Sequence, residues 1–442
     1  MTPHVAIIGG GWAGLSCAVE LARADIRVSV FEGSTTLGGR ARVVEKDGWR
    51  IDNGQHILIG AYTETLRMLR LLGVSPKRLY SSPFFIHIPG VLDLQAADLP
   101  APFHLAVGLL RAKGLSWADR RAAARLLSHL KRIRFVLTED VTVSALLDRT
   151  AQTPTLRRLV WEPLCVAALN TPAERASAQV FANVLRDSVA ASASASEVLI
   201  PRIDLTELLP VPAVLYLSRK GQNVHTMTKI RGIARTEHGF SLEGDPFDGR
   251  YSHVVLATAP WQVSGLTAEF SEMERLRNQL DAMRHEAITT AYLAYDPAIR
   301  LTRPMIGLDD GLLQWVFDRG QLGGPDGLLA GVVSAAGTEL SREDIALRAH
   351  QDIERIFATD SARLPAPKWA QVITEKRATF ACEPGVFRPI TMTPVKQLYL
   401  AGDYVASDYP ATLEGAVRSG LQAARTIFRS VGVAQPTLFK LD

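Results

Sequence analysis

Three glycines near the start of the chain have the spacing that a phosphate-gripping turn requires. Gly9, Gly11 and Gly14 stand in the run Gly9-Gly10-Gly11-Trp12-Ala13-Gly14. The first permits a tight turn, the second lets backbone approach a pyrophosphate, and the third lets a helix pack closely on a strand. Trp12 and Ala13 lie within this run, ahead of a helix whose free N–H groups can meet a phosphate. Glu32 supplies a carboxylate able to accept hydrogen bonds from ribose hydroxyls. The chemistry implied is the holding of a dinucleotide. The elements that must position these groups surround them. Val5-Ala-Ile-Ile8 is a short apolar run, readable as a buried strand. Leu15 to Ala24 carries Leu15, Val19 and Ala22 on one helical face, and Arg27 to Phe31 reads as a second strand ending at Glu32. A glycine run alone is a weak signal. Strand, helix, strand and acid in this order form the βαβ context that the fingerprint needs.

Two further motifs belong with the first. Leu37-Gly38-Gly39-Arg40-Ala41 follows soon after Glu32, and near the far end a strand pattern, Gln397 to Ala401, runs into Gly402-Asp403. Tyr409-Pro410-Ala411-Thr412-Leu413-Glu414-Gly415-Ala416 then leads into a helical run to about Phe428. In these segments the chain resembles the flavoprotein superfamily of amine oxidases and phytoene-type desaturases. The resemblance implies FAD as cofactor, with Gly38, Gly39 and Arg40 at its pyrophosphate. A guanidinium offers paired donors to a phosphate. It also implies Asp403, after Gly402, at the ribityl chain, and Thr412 and Leu413 opening a helix aimed at the flavin, where the helix dipole favours negative charge. Gly221-Gln-Asn-Val224 and Ser252 to Ala257 look like middle strands of the same unit, with Val224 near the adenine. The implied fold is α/β: a Rossmann-like FAD-binding domain made of residues 1–80, 216–269 and 371–442, and a mixed α+β substrate domain made of 81–215 and 270–370. No cysteine closely precedes the C-terminal motif, so the FAD is expected to be noncovalent. No second GxGxxG occurs downstream. Reducing equivalents would then come from NAD(P)H reacting at the flavin, or from another external donor.

Two segments are narrower. Asp52-Asn53-Gly54-Gln55-His56-Ile57-Leu58 is one, and Trp161-Glu162-Pro163-Leu164 continuing to Asn170-Thr171-Pro172 is the other. With Pro201-Arg202-Ile203-Asp204-Leu205 they resemble the hydroxysqualene dehydroxylase family along essentially the whole chain. That resemblance implies reductive removal of a hydroxyl from a lipophilic C30 isoprenoid alcohol, giving squalene, downstream of squalene-synthase-like enzymes. The departing oxygen needs a proton. His56 and Asp52 are the candidates for supplying it, since a histidine has the pKa for such work; the same two residues could instead hold their loop by hydrogen bonds. Trp161, Tyr292 and Trp315 are candidate aromatic walls for a substrate cation, with core packing as the alternative for each. A carotenoid-type desaturase would use a similar site in the oxidative direction. An amine or porphyrinogen oxidase would need a more polar pocket, and a flavin-binding scaffold would bind without turnover.

Composition agrees with an ordinary globular enzyme. The 442 residues are 47% apolar and 21% charged, with a net charge of +4, which excludes disordered, collagenous and coiled-coil classes. So mild an excess of cations gives no ground for a nucleic-acid partner. Cys17, Cys165 and Cys382 are scattered and form no CxxC, so neither a disulfide framework nor a metal site is expected. No run approaches the roughly 18 apolar residues of a spanning helix, and the N-terminal segment lacks the features of a signal peptide. The expected location is cytoplasmic. Residues 99–136 read as a strongly basic amphipathic helix pair with interleaved Phe103, Leu110 and Trp117. That pattern fits contact with an anionic membrane surface, and equally a solvated basic face over a packed core.

Overall fold

The computed structural model describes residues 3–335, 339–357 and 364–436. At its centre lies a five-stranded parallel sheet in the order Asn223–His225, Arg27–Phe31, His4–Ile8, His253–Leu256 and Leu398–Leu400. The strands are short apolar runs because both faces of a parallel sheet are covered; Val5, Ala6, Ile7, Val28 and Val30 are fully buried. The helix Trp12–Arg23 begins at Gly11 and packs beside the sheet. The C-terminal helix Leu413–Val431 lies against it so closely that a Cβ at Gly420 would stand 2.1 Å from the Ala13 carbonyl oxygen. Glu414, at the start of that C-terminal helix, is completely buried. Its carboxylate accepts from the Thr65 N–H and hydroxyl at 2.8 and 2.7 Å and pairs with Arg418 at 2.6 Å. The helix Thr63–Leu71 is thereby pinned to the C-terminal segment.

A second, antiparallel sheet has the order Met305–Gly307, Trp315–Asp318, Leu328–Ser334, His285–Ala294 and Trp369–Phe380. Strand alternation gives it two distinct faces. Ala291, Leu293, Val316, Val333 and Val372 share a core with Ile345, Ala349 and Ile353 of the helix Arg342–Phe357. Ile288, Thr290, Tyr292, Trp315, Phe317, Val332 and Glu375 alternate with these and occupy the opposite face. The whole of Trp369–Phe380 belongs to this sheet, so one strand runs across the boundary expected at residue 371. The strand pairs with His285–Ala294, far away in sequence, and no local pattern announces such a pairing.

The basic segment forms two helices, Phe103–Arg111 and Trp117–Arg132. The second begins with a capping box in which Ser116 and Asp119 satisfy each other's backbone N–H. The hairpin Phe85–Ile88 with Leu92–Gln95 links these helices to the Met305–Gly307 edge of the antiparallel sheet. In the run of alanines and serines from Ala190 to Ser196, the Ala195 carbonyl accepts from Ala61 N–H at 2.9 Å, which ties this run to the segment after His56. Among the described residues, no helix is long and apolar enough to cross a membrane.

Candidate active site

A cavity of about 980 Å³ opens where the two sheets meet. The glycine turn, the loop carrying Arg40 and the segment from Gly402 to Leu413 all border it. Gly38 N–H donates to the Gly10 carbonyl at 2.9 Å, and Gly11 and Gly38 form a bridge, so the first two motifs are knitted together. Gly14 is needed for packing: a Cβ there would lie 2.1 Å from the Gly9 carbonyl oxygen. At Gly11 the demand is the reverse. A Cβ there would meet only the Gly39 Cα at 3.9 Å, so its backbone faces open space at the head of a helix with no side-chain cap.

Glu32 lines the cavity, with one carboxylate oxygen accepting from Gly10 N–H at 2.8 Å and the other from Ser34 N–H at 2.9 Å. Arg40 reaches across to the other end of the chain. Its Nη2 lies 2.5 Å from Asp403 Oδ1, and its Nη1 donates to the Ala378 carbonyl at 2.5 Å. In sequence Arg40 and Asp403 belong to separate motifs; the structure joins them as an ion pair at the cavity wall.

Of the residues expected at the cofactor, Gly9, Gly11, Trp12, Ala13, Glu32, Gly38, Gly39, Arg40, Gly402, Asp403, Thr412 and Leu413 line this cavity. Gly14 lies behind it, in its packing role. Val224 is not in the lining. Its strand ends earlier, and Met227 and Thr228 then donate to the Ser34 and Glu32 carbonyls, which draws Thr228, Lys229, Ile230 and Arg231 over that end of the cavity in place of Val224. Cys17, Cys165 and Cys382 are buried outside the lining.

The loop after Arg40 divides its polar residues by role. Asp52 is 6% exposed and does not line the cavity. Its carboxylate accepts from Leu205 N–H at 2.9 Å, its carbonyl accepts from the Tyr292 hydroxyl at 2.9 Å, and burial raises its pKa to about 7. It anchors the loop. Asn53 Nδ2 donates to the Arg40 carbonyl at 3.2 Å and to Glu375 at 3.3 Å. His56 does line the cavity. Its Nδ1 lies 2.8 Å from the Gly54 carbonyl oxygen, so this nitrogen must carry the proton, and Nε2 of the neutral ring is an acceptor. Burial holds the His56 pKa below the ordinary histidine value.

Of the three aromatic candidates, Trp315 alone lines the cavity. Tyr292 is on the correct sheet face but is sealed by its bond to the Asp52 carbonyl. Trp161 is buried elsewhere, its Nε1 donating to Gln152 at 2.8 Å. The Trp-Glu-Pro-Leu segment contributes instead through its helix, Glu162–Leu169, and through the residue that caps it. Ala167, Ala168 and Asn170 line the cavity. Asn170 caps that helix in the left-handed region at φ 46° and donates to Thr379 at 2.9 Å. Gln55, within the Asp52–Leu58 segment, is in the lining too, and sequence reasoning missed Ile288, Phe317, Val332 and Glu375 there. The signal for these four was strand alternation, readable only once the pairing is known.

A sequence profile described as flavin containing amine oxidoreductase matches residues 12–428. The chain belongs to that family. Among flavin-containing amine oxidoreductases it is 30% identical over 438 residues to hydroxysqualene dehydroxylase of Zymomonas mobilis, covering 95% of this chain and 97% of that protein. It is 25% identical over 485 residues to a probable zeta-carotene desaturase of Synechococcus elongatus, covering 98% and 100%. The solved structure of a putative protoporphyrinogen oxidase from Exiguobacterium has the same fold, with a TM-score of 0.71 at 18% identity over 97% of this chain and 99% of that one. The protein is an FAD-dependent oxidoreductase. Its cavity fits that cofactor: Gly11 leaves the room a pyrophosphate needs, and Thr258 Oγ1, in the lining, is buried without a partner.

Proposed function

We propose that the enzyme removes the hydroxyl of hydroxysqualene reductively to give squalene, with electrons supplied by NAD(P)H or another external reductant. The observation that carries this reading is the cavity itself. One side is lined by cofactor motifs, and the other by Ile57, Ile288, Trp315, Phe317 and Val332. An apolar wall beside a flavin site suits a hydrocarbon chain, and the full-length relationship to hydroxysqualene dehydroxylases narrows the choice. Bound FAD would supply hydride to carbon. Glu32 and the glycine turn would hold its ribose and pyrophosphate, while Arg40 and Asp403 would fix the ribityl side of the site. Trp315 and Phe317 would exclude water and present aromatic faces to positive charge on the substrate. His56, neutral at rest, would donate a proton to the departing oxygen only after taking one up. The rate should therefore rise as pH falls, because protonation of a ring with a lowered pKa is incomplete near neutrality.

The substrate reaches the cavity from lipid. The pair of helices Phe103–Arg111 and Trp117–Arg132 would rest on an anionic membrane surface, taking the alcohol made by a squalene-synthase-like enzyme. The test is anaerobic mixing of photoreduced, FAD-loaded protein with hydroxysqualene between pH 8 and pH 5. The alcohol should reoxidise the flavin, faster at lower pH, and His56→Gln should flatten that dependence. A desaturase would instead reduce oxidised flavin when given a polyene, and that result would favour the zeta-carotene desaturase relationship.

A further inference from the structure

Opposite the glycine motifs the lining is largely apolar, with Asn170, Ser334, Glu375 and Thr379 as polar members besides those near Gly54. Gly54 sits in the lining with Gln55 and His56 beside it. A Cβ built on Gly54 would lie 3.8 Å from His56 Cε1 and 3.9 Å from Thr290 Oγ1. Thr290 stands in the same cross-strand row as Val332 and Trp315, and so shares their sheet face. Two polar atoms at this place have no hydrogen-bond partner although they are buried: Gln55 Oε1 and Thr290 Oγ1. The His56 ring has spent Nδ1 on the Gly54 carbonyl, which leaves Nε2 as an unused acceptor. Gln55 and His56 are in the cavity lining, and Thr290 lies just behind it across Gly54; buried polar groups are nearly always satisfied, so unpartnered ones on either side of this glycine ask for a ligand atom.

We propose that the slot at Gly54, bordered by Gln55, His56 and Thr290, receives the oxygen of the substrate alcohol. This rests on the reading of the cavity as a site for an isoprenoid alcohol, and adds how the enzyme recognises the functional group. The chemistry is complementary. An alcohol brings one O–H donor and two lone pairs. His56 Nε2 or Gln55 Oε1 accepts from the alcohol, and the Thr290 hydroxyl donates to it. The apolar wall formed by Ile288, Trp315, Phe317 and Val332 would grip alcohol and hydrocarbon product alike. The slot distinguishes them, because a hydrocarbon leaves its polar atoms unpaired again. Loss of the oxygen therefore loosens the product.

The experiment uses full-length, FAD-loaded protein kept oxidised, so that nothing turns over. Hydroxysqualene and squalene are titrated separately, and binding is read from the flavin difference spectrum. Wild type should bind the alcohol about tenfold more tightly than the hydrocarbon. Thr290→Val, which keeps the shape and removes the hydroxyl, should abolish most of that preference and leave squalene affinity and FAD content unchanged. Gly54→Ala should act the same way by filling the slot; Gly54 does not have positive φ, so alanine is tolerated there. Thr290→Ser should retain the preference, which separates the hydroxyl's role from a general disturbance of the strand. Equal loss for both ligands, loss for neither, or loss of FAD with the alcohol preference intact would overturn the slot. Wild type that binds neither ligand would overturn the dehydroxylase reading as well.

Discussion

Asp52 and His56 stand in one short run of sequence, yet the fold sends one into the protein and the other into the cavity. The carboxyl of Asp52 is held by the Leu205 N–H and raised by burial from 3.8 to about 7. The folded protein keeps this proton up to about pH 7, whereas the unfolded chain releases it near pH 4. Stability from this group is therefore complete in acid and lost as pH rises through about 7. Asp52→Asn keeps an oxygen for Leu205 and removes the ionisation. Thermal unfolding should show the variant matching wild type near pH 4 and exceeding it at pH 8, by up to about 4 kcal/mol. A variant less stable than wild type at pH 8 would show that the charged carboxylate is what the site wants. The motif made both residues visible as candidates. It could not show which way each side chain turns, because that is decided by Leu205 and Tyr292, remote in sequence.

The elements differ in how openly the sequence declared them. The glycine turn, its helix and the C-terminal helix were legible because their signals are local: glycine where backbone must approach, periodic apolar residues behind. The antiparallel sheet was not legible, since Ile288, Val332 and Glu375 acquire a common face only through long-range pairing. Val224 stays outside the lining for a similar reason, as the turn at Met227 decides what covers Glu32. The basic helices divide into two surfaces. Ala122, Ala123, Leu126 and Leu130 are buried, while Phe103 and Trp117 are 61% and 64% exposed, and Leu110 is exposed too. Arg111, Lys113, Arg121, Lys131 and Arg132 are exposed around them. Packing thus accounts for one face and leaves the other unexplained by the core. Phe103→Ser with Trp117→Ser should weaken co-sedimentation with phosphatidylglycerol-containing vesicles at least about tenfold, since each ring buries roughly 1.5 kcal/mol or more of apolar surface in the interface. High salt should weaken wild-type binding also. Unchanged binding by the variant would confine these helices to a solvated role.

For the whole molecule, the central feature is that one cavity joins segments from both ends of the chain. The Arg40–Asp403 pair closes the cofactor side, and the antiparallel sheet closes the other. The half lined by the glycine motifs could be read from the sequence because close backbone approach constrains residue type strongly. The opposite half, where Asn170 and Glu375 stand among Ile57, Ile288, Phe317 and Val332, carries no such motif, and of the aromatic candidates only Trp315 falls in it. The most direct test of the account is anaerobic incubation of chemically reduced, FAD-loaded protein with hydroxysqualene, with products analysed by gas chromatography and mass spectrometry. Squalene should appear only when enzyme and reduced flavin are both present, close to one equivalent per flavin in a single turnover. Recovery of unchanged alcohol from protein shown to hold reduced FAD would contradict the assignment.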